Sequence, residues 1–282
     1  MPDDTARRDP HETARPGGRR RPIGVFDSGV GGLSVLRAVR RAAPADDLVY
    51  VADTAHAPYG DQPPEAIVQR TLRIGRWLAD TGAGALVVAC NTATAIAVDA
   101  LRRHVAVPVV AIEPAIKPAV ALTRRGIVGV LATTTTIRSE RMGRLCRDHA
   151  GGVRLVLQAC PGLAERVEAG DLDGPATRAL LAGQLAPIRA AGADVVVLGC
   201  THYPFLAGAI RDELGDRVQL VDPAEAVARE LLRRLGQASP PAGGDPPSGR
   251  LRLLTTGDPD AVGAVVARLW PHPLAAQPLV GV

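Results

Sequence analysis

Two short segments carry the residues best suited to chemistry. Cys90-Asn91-Thr92 and Cys200-Thr201-His202 each set a thiol at the end of an apolar run, followed at once by two polar side chains. The surroundings repeat as well. Gly82–Thr92 reads GAGALVVACNT and Gly192–His202 reads GADVVVLGCTH, 110 residues apart, with a glycine eight residues ahead of each cysteine. A strand-end cysteine that opens a helix sits among unpaired backbone N–H groups, which favour the thiolate. Lowered thiol pKa values are therefore expected at Cys90 and Cys200, fitting them to carry protons. The plainer role of a small buried hydrophobe is enough for Cys146 and Cys160. A metal site built from Cys90, Cys200 and His202 lacks a clear further ligand, so no metal is expected.

Three other clusters could serve the same site. Asp27-Ser28-Gly29-Val30-Gly31-Gly32 follows an apolar run and opens a helix, where glycine lets the backbone come close to an anionic group. Its glycines do not make a dinucleotide fingerprint, because the last position of GxGxxG is Ser34. The acidic Asp27 would repel a pyrophosphate but could accept an amino group or a proton. Asp53-Thr54 and Pro58-Tyr59-Gly60 have turn composition, and the Tyr59 hydroxyl and Gly60 amide could bind a carboxylate. Thr133 to Thr136 and Ser139 supply hydroxyls ahead of a helix, and at least one is expected to cap it.

The elements that must hold these groups alternate. Strands are predicted at Ile23–Phe26, Leu48–Ala52, Ala85–Ala89, Val107–Ile112, Ile127–Leu131, Arg154–Gln158, Val195–Leu198, Gln219–Val221 and Leu251–Thr255. Helices are predicted between them, among others at Leu33–Ala42, Glu65–Asp80, Thr94–Arg103, Arg138–Asp148, Thr177–Ala191 and Ala224–Leu235. Short strands alternating with helices imply an α/β fold with mainly parallel sheets. A second echo, Ile23–Ser28 (IGVFDS) with Val128–Thr133 (VGVLAT), lies 105 residues apart. Together the echoes imply two pseudo-symmetric three-layer α/β half-domains with the active site in the cleft between them. The expected division is a disordered basic tail (1–21), a first domain (22–113 plus 223–282, with a Pro/Gly linker at 237–249) and a second domain (114–222).

Composition narrows the classes. Of 282 residues, 46% are hydrophobic but only 2% aromatic, so the cores must be built from Ala, Val, Leu and Ile. The net charge of +4 owes much to Arg7, Arg8, Arg15, Arg19, Arg20 and Arg21 in the tail, so it argues little for nucleic-acid binding. Four cysteines without a CxxC spacing are no disulfide framework. No apolar run approaches the roughly 18 residues a membrane helix needs, and the N-terminus is unlike a signal peptide. A cytoplasmic location with reduced thiols is expected.

The runs GVFDSGVGGLSVLR, YVADTAHAPYGDQ, VVACNTATA, PVVAIEPAIKPA, TTTTIRSE, VLGCTHYPFL and LLTTGDP, in that order, resemble the successive motifs of the glutamate racemases. That family lies within the aspartate/glutamate racemase superfamily. The resemblance implies a cofactor-independent enzyme that interconverts L- and D-glutamate and supplies D-glutamate for peptidoglycan. It makes Cys90 and Cys200 the acid/base thiols, and Asp27, Glu168 and His202 the side chains that help move their protons. Substrate contacts carried over are Asp27, Ser28, Pro58, Tyr59 and Gly60 from one half. Asn91, Thr92, Thr133, Thr136, Thr201 and His202 complete the set. The stretch ACPGLAERVEAG around Glu168 departs from the family pattern.

Racemisation removes a proton from one face of Cα and returns one to the other, so two equivalent bases facing each other suit it. Many racemases instead use pyridoxal phosphate on a lysine. The chain's only lysine, Lys117, lies between prolines without a phosphate loop, so it is expected at a surface or helix start and no cofactor is expected. The alternative within the superfamily is an aspartate or hydantoin racemase. Outside it stands a non-catalytic two-lobed binding protein, which has no need of paired thiols. A homodimer is the default assembly. Contact of the basic tail with nucleic acid or gyrase is an additional expectation.

Overall fold

Apolar runs become strands here because a parallel sheet covered on both faces needs apolar side chains pointing both ways. The computed structural model describes residues 20–238 and 248–282. A first sheet contains β1 (Ile23–Asp27), β2 (Leu48–Ala52), β3 (Ala85–Val88) and β4 (Val109–Ala111). The second contains β5 (Ile127–Ala132), β6 (Arg154–Ala159), β7 (Val195–Leu198) and β8 (Gln219–Val221). The chain then returns to the first sheet for β9 (Leu251–Thr255) and β10 (Ala276–Pro278). The strand orders are β10-β9-β2-β1-β3-β4 and β6-β5-β7-β8. Every pairing in them is parallel.

The two sheets share the local order 2-1-3-4, and their registers agree residue by residue. Phe26 pairs with Val88, and Leu131 pairs with Leu198. The central strands β1 and β5 are thus offset by 105 residues, and β3 and β7 by 110, matching both echoes in the sequence. Two residues beyond Val88 and Leu198 stand Cys90 and Cys200. By the same register Ala132 occupies the place of Asp27, and Cys160 that of Asp53.

Helices cover both faces of each sheet. In the first lobe these are α1 (Leu33–Ala42), α2 (Pro64–Asp80) and α3 (Asn91–His104). The second lobe has α4 (Ile116–Leu122), α5 (Thr134–Arg138), α6 (Glu140–His149), α7 (Leu163–Glu168), α8 (Pro175–Ala191) and α9 (Ala207–Leu214). After β8 come α10 (Ala224–Arg234), which packs on α1, and α11 (Pro259–Leu269). Phe26, Val51, Leu86 and Val88 face a core under α2 and α3. Val128, Val130, Val195 and Val197 face one under α4 and α6. The inner faces of both sheets share a single core that includes Val25, Leu36, Leu131, Val196, Leu185 and Leu231.

Several expectations change. The helix predicted over Arg138–Asp148 is α6 and begins only at Glu140, because Ser139 is extended and its hydroxyl accepts from Met142 N to cap it, while Arg138 ends α5. Helix α3 starts at Asn91 rather than Thr94, so Asn91 and Thr92 belong to its first turn. Strand β10, on the sheet edge, was not foreseen. Lys117 is exposed at the second residue of α4. The tail and linker expected at 1–21 and 237–249 fall mostly outside the described residues, as does the nucleic-acid or gyrase contact. Arg20 and Arg21 are described, and Arg21 Nε donates to Gly82 O at 3.2 Å. Among the described residues no helix is long and apolar enough to cross a membrane.

Candidate active site

Both cysteines lie beyond the carboxyl ends of their sheets' strands, where open α/β sheets bind ligands. Cys90 caps α3, its Sγ accepting from Ala93 N at 3.4 Å. Cys200 precedes a short 3-10 turn (Tyr203–Leu206) rather than an α-helix. The thiols are only 4% and 6% exposed. That burial overturns the expected low pKa at Cys90. Burial pushes the thiol up and the Asp27 charge pushes it further, while the Ala93 amide and Ser28 hydroxyl pull back less. Cys90 therefore rests as a thiol, a proton donor.

The flanking groups differ between the thiols. On the first side, Cys90 Sγ lies 3.5 Å from Ser28 Oγ. Asp27 accepts from Ser28 N at 2.7 Å and Gly32 N at 2.5 Å. Its carboxyl is raised from the ordinary value by burial, against the opposing charge of His202 and its hydrogen bond with Cys90. On the second side, Cys200 Sγ lies 3.5 Å from His202 Nδ1, and His202 Nε2 lies 2.6 Å from Glu168 Oε1. Burial works to lower the His202 pKa. The Cys200 and Glu168 contacts outweigh it and hold the ring well above its ordinary value. The imidazolium donates from both nitrogens. Because Ala132 replaces Asp27 in the second lobe, the polar neighbours of Cys200 come from elsewhere in that lobe.

The glycine loop after β1 does hold an anion, and the anion is the protein's own. Val30 N donates to Glu168 Oε1 at 2.8 Å. A side chain on Gly29 would overlap the Glu168 carboxylate, and one on Gly31 would overlap the His202 ring. Tyr50 Oη fixes the loop by donating to Gly29 O at 2.7 Å, a role without a sequence signal. Lobe-to-lobe bonds tighten the arrangement. Ser34 Oγ donates to Thr201 O at 2.9 Å, and Thr201 Oγ1 to Asp27 Oδ2 at 3.3 Å.

Hydroxyls and an amide complete the surroundings. Thr92 Oγ1 lies 3.0 Å from Thr133 Oγ1 and 3.4 Å from Thr136 Oγ1. Thr133 also caps α5, as its position suggested. Asn91 is buried, and among the described residues both polar atoms of its side chain lack a hydrogen-bond partner. A buried amide left open is costly unless a ligand satisfies it. Pro58 follows a cis peptide bond, and Gly60 packs against Thr133. The Tyr59 hydroxyl is corrected as a carboxylate ligand: it is buried and donates to Asp53 Oδ2 at 2.5 Å. Only the backbone of this turn is left for that task. Among the described residues no group of three or more His, Cys, Asp or Glu is arranged to hold a metal.

The arrangement can donate a proton from one thiol and accept one at another, with the open amide of Asn91 next to Cys90. Comparison with known proteins adds an independent line. The Asp/Glu/Hydantoin racemase family model matches residues 23–231. Over 256 residues the chain is 52% identical to the glutamate racemase of Ralstonia nicotianae, covering 91% of this chain and 92% of that one. Glutamate racemase isoform RacE1 from Bacillus anthracis superposes with a TM-score of 0.82 at 31% identity, over 92% of this chain and 97% of its own. Escherichia coli glutamate racemase, solved with L-glutamate and the activator UDP-MurNAc-Ala, gives 0.80 at 32% identity, over 93% and 100%.

Proposed function

The chain belongs to the Asp/Glu/Hydantoin racemase family, and from that premise we propose that it interconverts L- and D-glutamate with Cys90 and Cys200 as the two proton carriers. It is an isomerase. The observation that carries the assignment is the register: the two thiols occupy one position in two sheets of the same strand order, each with its own acid/base neighbours.

A thiolate at one cysteine takes the α-proton and becomes a thiol. The thiol at the other gives its proton to the opposite face and becomes a thiolate, and the roles exchange in the reverse direction. Asp27 and Ser28 serve Cys90, while His202, held by Glu168, serves Cys200. Asn91, Thr92, Thr201 and backbone amides hold the substrate carboxylates, and the three side chains oppose charge building up at the barrier. Donors fixed in a buried site need no reorganisation as that charge forms. On the resemblance, the D-glutamate goes to peptidoglycan, and the enzyme is a cytoplasmic homodimer. We take the two lobes as 22–113 plus 223–282 and 114–222.

The test is incubation with L- or D-glutamate in D₂O, following optical rotation and α-deuterium. Wild type is expected to racemise without added cofactor, and Cys90→Ser and Cys200→Ser each to lose racemisation. Near-normal racemisation by either variant would exclude the two-thiol assignment. A preference for aspartate or a hydantoin over glutamate would move the chain elsewhere in the superfamily.

A further inference from the structure

Asp53 is fully buried, yet no step above uses it. It closes the end of β2, and five donor groups converge on its two oxygens. Arg70, itself 12% exposed, is bidentate: Nη2 reaches Oδ1 at 2.7 Å and Nε reaches Oδ2 at 2.9 Å. Tyr59 Oη donates at 2.5 Å, Thr256 Oγ1 at 2.8 Å, and His56 Nδ1 lies at 3.1 Å. Burial works to raise this carboxyl, but Arg70, Tyr59 and Thr256 outweigh it and hold it below the ordinary value.

A buried ion pair adds little stability that apolar packing could not supply, but it does fix geometry. Here it ties the β2–α2 loop at both ends: Asp53 at its start, Tyr59 near its end, Arg70 on α2. The next residue reaches the other lobe. Thr135 Oγ1 donates to Gly60 O at 2.5 Å. A Cβ on Gly60 would stand 3.2 Å from Thr133 Cβ, and Thr133 in turn meets Thr92, two residues past Cys90.

We propose that Asp53 and Arg70 are positioning residues which, with Thr135, hold the Tyr59–Gly60 turn against the second lobe so that its backbone receives the substrate carboxylate. This rests on the glutamate assignment above. A turn that grips a carboxylate equally in substrate and transition state sets KM and leaves kcat alone.

The experiment is steady-state glutamate racemisation by full-length wild type, Arg70→Lys, Tyr59→Phe, Thr135→Val and the Arg70→Lys/Thr135→Val double variant. Each single variant is expected to raise KM about tenfold, a modest share of what misplaced contacts can cost, with kcat nearly unchanged. The double variant should fall well short of the product of the singles, because both act through one turn. KM unmoved in Thr135→Val, kcat falling at constant KM, or penalties multiplying as independent would each overturn the proposal. Should Arg70→Lys not fold, Thr135→Val and Tyr59→Phe are combined instead, since Thr135 does not touch Asp53. A wild type that fails to racemise glutamate overturns the functional assignment rather than this one. The same variants are then compared by titration calorimetry with glutamate, where the same affinity losses support the proposal and equal affinities, or no binding by wild type, sink it.

Discussion

At the scale of single residues, the site is two differently equipped thiols. Cys90 sits beside a carboxyl that burial raises, Cys200 beside an imidazolium braced by Glu168. This difference has a consequence for stability. His202 binds its proton more tightly folded than unfolded, so its stabilisation is full below about pH 6.5, its unfolded value, and is lost as pH rises through the folded value. Glu168→Gln removes one of the two partners that raise it. Urea midpoints taken from pH 6 to 9 should therefore decline less steeply for the variant than for wild type. Parallel slopes would show that Glu168 does not hold the proton on His202.

At the scale of elements, the β1–α1 loop does more than turn the chain. Its glycines bring Val30 N within hydrogen-bond reach of Glu168 and leave room for the His202 ring. Gly31→Ala adds a methyl where that ring stands, so the ring that meets Cys200 must shift. Displacements of this kind cost up to about 100-fold in rate. The expected result is a folded protein with kcat/KM reduced by about that order. A variant that keeps wild-type kinetics would show that the ring has freedom the packing denies it. The elements also explain where periodicity misled. Ser139 could belong to the helix by pattern, but its hydroxyl does more as the cap, so that helix begins at Glu140.

At the scale of the molecule, the two lobes share one core across their inner faces, and the chain passes between them twice, after β4 and after β8. Unfolding either lobe alone would expose that shared face. Differential scanning calorimetry should show one cooperative transition, and two resolved transitions would mean that the lobes unfold independently. By itself the sequence determined the α/β class, nine of the strands, the 105- and 110-residue echoes and the thiol pair. Strand patterns and motif spacing are local, and the repeat compares the chain with itself. Only the tertiary structure decided what surrounds each thiol. Burial reversed the expected Cys90 pKa, and Tyr59 turned its hydroxyl to Asp53 instead of the site. Arg70, Tyr50 and the Val30 amide gained roles no pattern announced. Desolvation and contacts between distant segments depend on how the two sheets meet, and no window of sequence contains that.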